Sequence, residues 1–131
     1  MNTLNDYTQE KQTKLFNDTG AFFAFSSEQF NEKQKKGVKY VAMASGLMVP
    51  KENFKKLFNG LKSINDDGVK QDISDNGITA IIHRELANYE AQITGDISNT
   101  VEALEDYGIT RSQVSKEYKA YYQHCINNDY F

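Results

Sequence analysis

The hydrophobic pattern changes period several times along the chain, and each change marks an element. Ala21-Phe22-Phe23-Ala24-Phe25 is a short, wholly apolar run bounded by turn residues. Such a run fits a strand buried on both faces, and it is expected to be the central strand. Ser26 then reads as a helix N-cap, with Gln29 at the third helical position closing a capping box. Phe25 and Phe30 have the spacing of a hydrophobic staple. A short helix over 27–34 follows. From Val38 to Ala44 apolar positions alternate, which predicts a second strand. Ser45-Gly46 is read as a tight turn, and Leu47-Met48-Val49 returns antiparallel. The segment between Phe25 and Val38 could also connect parallel strands, so a mixed or antiparallel sheet of about three strands is expected.

The remaining pattern is helical. A first helix carries Leu4, Tyr7, Lys11 and Leu15 on one weakly amphipathic stripe and ends at Asp18-Thr19-Gly20. Pro50 suits the first turn of another helix, whose core stripe is Phe54, Leu57, Phe58, Leu61 and Ile64. Asn65-Asp66-Asp67-Gly68 is expected to end it. The strongest stripe, Ile78, Ile81, Ile82, Leu86, Tyr89 and Ile93, predicts one helix over 77–93 that packs on the central strand. Asp96 can cap the next helix, which points Val101 and Leu104 inward. Thr110 and Gln113 form a second capping box, with Ile109 and Val114 as its staple. The last helix carries Val114, Tyr118, Tyr121, Tyr122 and Cys125. The expected fold is therefore α+β: a small three-stranded sheet packed by about five helices, with a helix-dominated C-terminal half.

With 131 residues the chain can bury a proper core, and it reads as one domain over 1–131. The N-terminal helix over 1–18 is expected to pack weakly, and the tail over 127–131 to fray. No apolar run approaches the roughly 18 residues of a membrane span, and the N-terminal residues do not resemble a signal peptide. The single cysteine, Cys125, lies in an apolar stripe and is expected to be buried and inert. These features predict a cytoplasmic protein without a membrane partner. Charge is uneven. Residues 1–65 hold ten lysines against six acids, whereas residues 66–131 hold five bases against twelve. The basic charge is too dilute for a nucleic-acid footprint.

Chemistry is harder to find. Asp72-Ile73-Ser74-Asp75-Asn76-Gly77 matches the first six positions of a calcium loop. The twelfth position is His83, where that loop needs a bidentate glutamate, and Glu85 comes too late. The segment therefore reads as a polar loop capping the long helix. His83, Glu85, Asn88 and Glu90 are polar positions on that helix, but only His124 and Cys125 remain to complete a zinc set. No nucleophile elbow, Walker loop or dinucleotide fingerprint is present. No metal, cofactor or catalytic residue is assigned.

Thr19-Gly-Ala-Phe-Phe-Ala-Phe-Ser-Ser-Glu-Gln-Phe30 resembles the signature of a family of short proteins of unassigned function found in phages, prophages and some bacterial genomes. Glu85–Asp96 and the Tyr-Gly-Ile-Thr-Arg-Ser-Gln-Val turn at 107–114 are similar to it as well. The family commonly has histidine where Tyr89 stands, so any role of that histidine is lost or shifted here. The resemblance implies a phage or mobile-element setting and no reaction. The expected function is a non-enzymatic accessory protein that binds or inhibits a host or phage protein, such as a defence component. The candidate binding residues are Glu85, Asn88, Glu90 and Asp96, with Glu102, Glu105 and Asp106 as an acidic face that steers a basic partner. The alternative is a small enzyme or ligand-binding domain that uses the polar cluster of helix 77–93.

Overall fold

The computed structural model describes residues 1–131. Its elements are α1 (Leu4–Thr19), β1 (Phe22–Phe23), α2 (Ser27–Lys33), β2 (Tyr40–Ala42), β3 (Leu47–Pro50), α3 (Phe54–Asn76), α4 (Ile78–Asn88), α5 (Ala91–Thr94), α6 (Ser98–Ala103) and α7 (Arg111–Asn128). The fold is α+β, with one small three-stranded sheet and a C-terminal half made only of helices. The chain divides into two compact units, Leu4–Gly68 and Val69–Phe131 together with Met1–Thr3.

In the first unit the sheet has the order β1-β3-β2 and is antiparallel throughout. The central strand is therefore β3, not the phenylalanine run. Only Phe22 and Phe23 pair with it, opposite Met48 and Leu47. Val41 lies opposite Val49 on the other side. Alternation along β3 sends Leu47 and Val49 into a core with Leu57 of α3, flanked by Leu15, Phe16, Phe54 and Leu61. The opposite face holds an aromatic trio: Phe22, Phe30 and Tyr40 meet with ring centroids 5.3–6.0 Å apart. The strand expected over 38–44 shortens to β2. Pro50 closes β3 rather than opening a helix, and a 3-10 turn over Lys51–Asn53 intervenes.

Ser26 caps α2 as expected and accepts the amide of Gln29. The Gln29 side chain reaches back to the amide of Phe25 at 2.7 Å, one residue before the cap. The staple is not made: Phe25 stacks on Phe23, while Phe30 turns to Phe22 and Tyr40.

Helix α3 runs through the expected stop at Asn65-Asp66-Asp67-Gly68. The reason is a helix–helix contact. A Cβ on Gly68 would lie 2.6 Å from Thr8 Cγ2 and 3.1 Å from Leu4 Cδ1. The glycine is there for close approach, not for a turn. Thr8 can be buried because its hydroxyl donates to the Leu4 carbonyl, one helical turn back. The chain breaks instead at Gly77, whose φ of 80° suits only glycine well. The calcium-like segment Asp72–Asn76 is thus helix, not loop.

In the second unit Ile81, Ile82 and Leu86 of α4 form one core with Leu104, Ile109, Val114, Tyr121 and Cys125. The α4 stripe fills this helical core rather than covering the sheet strand. It also ends early. Glu90 adopts a left-handed conformation, φ 52°, and the break turns the remaining positions outward. Ile93, expected inside, is 59% exposed. The capping box of α7 is complete: Thr110 accepts from the Gln113 amide, and Gln113 Oε1 accepts from the Thr110 amide at 2.8 Å. Its staple residues, Ile109 and Val114, are both buried.

Candidate functional site

The most concentrated polar chemistry lies inside the second unit. Asp72, on the last turns of α3, is fully buried. Its carboxylate takes both ends of the Arg84 guanidinium, with Nη1 to Oδ1 at 3.0 Å and Nη2 to Oδ2 at 2.9 Å. Asn76 Nδ2 donates to Oδ1 at 2.8 Å, and the Tyr107 hydroxyl donates to Oδ2. Burial alone would push the Asp72 carboxyl upward. The hydrogen bonds from Arg84, Tyr107 and Asn76, with the Arg84 charge, outweigh it and hold the group below the usual carboxylate range. Burial, and then the hydrogen bond to Asp72, push the Tyr107 phenol upward. Arg84 is also held by Glu85 Oε1 at 3.1 Å and by the Asn2 carbonyl at 3.2 Å. Every strong polar group here is consumed by another. The network holds α3, α4 and the Tyr107 turn together and presents no reactive atom to a substrate.

The sequence-derived residues fall apart accordingly. Glu85 is half-buried and paired to Arg84, and its backbone carbonyl accepts from Thr100. Asn88 ends α4, Glu90 sits in the break, and both are exposed. Asp96 is exposed and accepts the Ser98 amide at 2.8 Å, a bond that lowers its carboxyl from the ordinary value. It caps α6 from one residue further out than a standard N-cap. Glu102 on α6 and Glu105 and Asp106 on the following 3-10 turn are all exposed. His83 is not a loop ligand; its Nε2 meets Glu117 Oε2 at 3.0 Å.

The first unit carries a different feature. Phe25 is 74% exposed and Phe23 is 39% exposed. Their rings stack with centroids 6.2 Å apart and planes 12° from parallel. Phe25, Phe30 and Met48 line an open cavity of about 600 Å³ beside the pair. The backbone around the rings is already engaged. The Ala24 amide donates to the Gly46 carbonyl, the Phe25 amide to Gln29, and Lys33 Nζ donates to the Phe23 carbonyl at 2.8 Å. Lys33 begins a run of four exposed lysines, Lys33, Lys35, Lys36 and Lys39. The surface therefore offers aromatic faces and positive charge, with little free backbone. The phenylalanines were visible in sequence, but an apolar run carries no mark that separates a buried strand from an exposed pair. The lysine run was the available signal.

The chain belongs to a family of unknown function, DUF7659, which matches residues 4–124. No curated protein and no solved structure matches it. No helix is long and apolar enough to cross a membrane.

Proposed function

We propose that this chain is a non-catalytic accessory protein that binds another protein through Phe23, Phe25 and the lysines over 33–39. One observation carries the reading: a stacked aromatic pair, with Phe25 74% exposed, stands on a sheet edge where the Phe23 carbonyl and the Phe25 amide are already bonded. Exposed aromatic groups rimmed by charge are characteristic of protein-binding surfaces. The occupied backbone favours recognition by side chains over addition of a strand. The partner that fits presents an apolar side chain flanked by carboxylates, as lysine complements acid. Glu102, Glu105 and Asp106 form a second, acidic surface that suits a basic partner. The mobile-element setting, with a host or phage protein as partner, rests on the resemblance of Thr19–Phe30.

The test is quantitative affinity capture from host lysate, with and without nuclease, using the tagged wild type and Phe25→Ser. A protein retained by the wild type should fall by about tenfold or more with Phe25→Ser, because aromatic hot spots contribute about 2 kcal/mol or more. Capture that vanishes with nuclease would instead assign the aromatic and lysine surface to single-stranded nucleic acid.

A further inference from the structure

The chain has two histidines, and both line one cavity of about 440 Å³ in the second unit, with Tyr121, Tyr130, Ala80 and Ala87. That volume is within the range of small-molecule sites. The walls are braced. The Tyr121 hydroxyl donates to Gln92 Oε1 at 3.1 Å, and Gln92 Nε2 donates to the Tyr130 carbonyl at 3.1 Å. The Tyr121 ring meets His83 with centroids 5.7 Å apart, and the Tyr130 ring meets His124 at the same distance.

The partners of each imidazole fix its tautomer. Glu117 meets His83 Nε2 at 3.0 Å, and a carboxylate only accepts, so that nitrogen carries the hydrogen. In the neutral ring Nδ1 is then an acceptor. His124 is the reverse. Asn128 Nδ2 lies 3.2 Å from His124 Nδ1 and 2.9 Å from the His124 carbonyl. A nitrogen facing both must be the donor of the amide, so Nδ1 accepts and Nε2 carries the hydrogen. One acceptor and one donor are left over, among aromatic and aliphatic walls that Met1 and the Arg84 side chain complete. The Arg84 guanidinium beside the cavity is already paired with Asp72 and Glu85. No group of three or more metal-binding side chains stands together.

We propose that this cavity binds a small, neutral, planar heteroaromatic molecule whose edge offers a hydrogen-bond donor beside an acceptor, the chemistry of a nucleobase. Stacking on the tyrosines holds its faces, and the two imidazoles read its edge. This site is independent of the protein-binding surface. The probe is 2-aminopurine, added to the full chain and followed by its fluorescence, with naphthalene as an apolar control. Saturable quenching is expected with the wild type and none with Ala87→Phe, which fills the cavity from an exposed position. His124→Phe should weaken binding by about tenfold, the loss expected when a polar edge is left without its partner. If Ala87→Phe fails to fold, the wild type still decides. Its His83 Nδ1 and His124 Nε2 nitrogen resonances should both move during the titration. Absence of saturable quenching, equal binding of naphthalene, quenching unchanged in folded Ala87→Phe, or unmoved imidazole resonances would each overturn the assignment.

Discussion

Asp72 and Arg84 face each other across the break at Gly77, guanidinium to carboxylate, with two hydrogen bonds of 3.0 and 2.9 Å. Asp72 has no solvent exposure and the Arg84 side chain keeps only 14% of its own. A buried charge that loses its partner is far more damaging than a pair removed together. Arg84→Ala should therefore lower the unfolding free energy by about 3–5 kcal/mol, whereas Asp72→Leu combined with Arg84→Met should recover most of that loss. Urea denaturation of the two variants measures the difference.

The same pair predicts an acid limb. The folded-state value of Asp72 is lowered from its ordinary 3.8. A depressed carboxylate contributes stability that is fully present above the unfolded-state value and is lost as pH falls through the folded-state value. The melting temperature should decline from about 3.8 downward. In Asp72→Asn, which is less stable overall, that part of the pH dependence should flatten. An unchanged acid limb in the variant would place the effect elsewhere.

An alkaline limb should come from Tyr121. Burial, and then the neighbouring Cys125 side chain, push its phenol up from 10.0 to about 12. The raised value means that the neutral phenol is favoured in the fold. Its contribution is complete below pH 10 and is lost as pH rises toward 12. Spectrophotometric titration of Tyr121→Phe should lose one phenol that ionises above pH 10, while the late ionisation of Tyr107 remains.

Two helical glycines of α3 should respond differently to alanine. A Cβ at Gly68 meets the short, branched Thr8 side chain at 2.6 Å, and one at Gly60 meets the flexible end of Leu15 at 2.7 Å. Gly68→Ala should destabilise by about 1–3 kcal/mol, because a buried threonine has nowhere to go. Gly60→Ala should lie near zero, since Leu15 can rotate and alanine is the better helix former by about 1 kcal/mol. Paired thermal melts check the order.

Local chemistry was legible in the sequence and tertiary choice was not. Ser26 and the Thr110–Gln113 box are read from adjacent residues, because a cap needs only its own first turn. The hairpin from β2 to β3 follows from alternation around Ser45-Gly46. Strand order did not follow, because nothing within Ala21–Phe25 states that Val49 takes the middle. Gly68 looked like a stop because only Thr8, distant in sequence, gives it another purpose. The break at Glu90 was hidden because a glutamate there carries no mark of a left-handed turn. Of the candidate binding residues, Glu85 is legible as polar, but nothing in its local pattern marks Arg84 as its partner. The available signal was an acid, Asp72, on the Val69–Ile73 stripe and an arginine beside Ile81 and Ile82. An apolar stripe that admits one charge on each of two neighbouring helices points to a buried pair.

The proposed function rests on exposed Phe25 meeting a protein. Replacing Phe25 with a photoreactive phenylalanine analogue and irradiating living host cells tests it most directly, with the same analogue at exposed Asn99 as the control. One discrete protein adduct is expected from position 25, absent from position 99 and lost when Phe23→Ser is added. No adduct, or the same adducts from both positions, would contradict it.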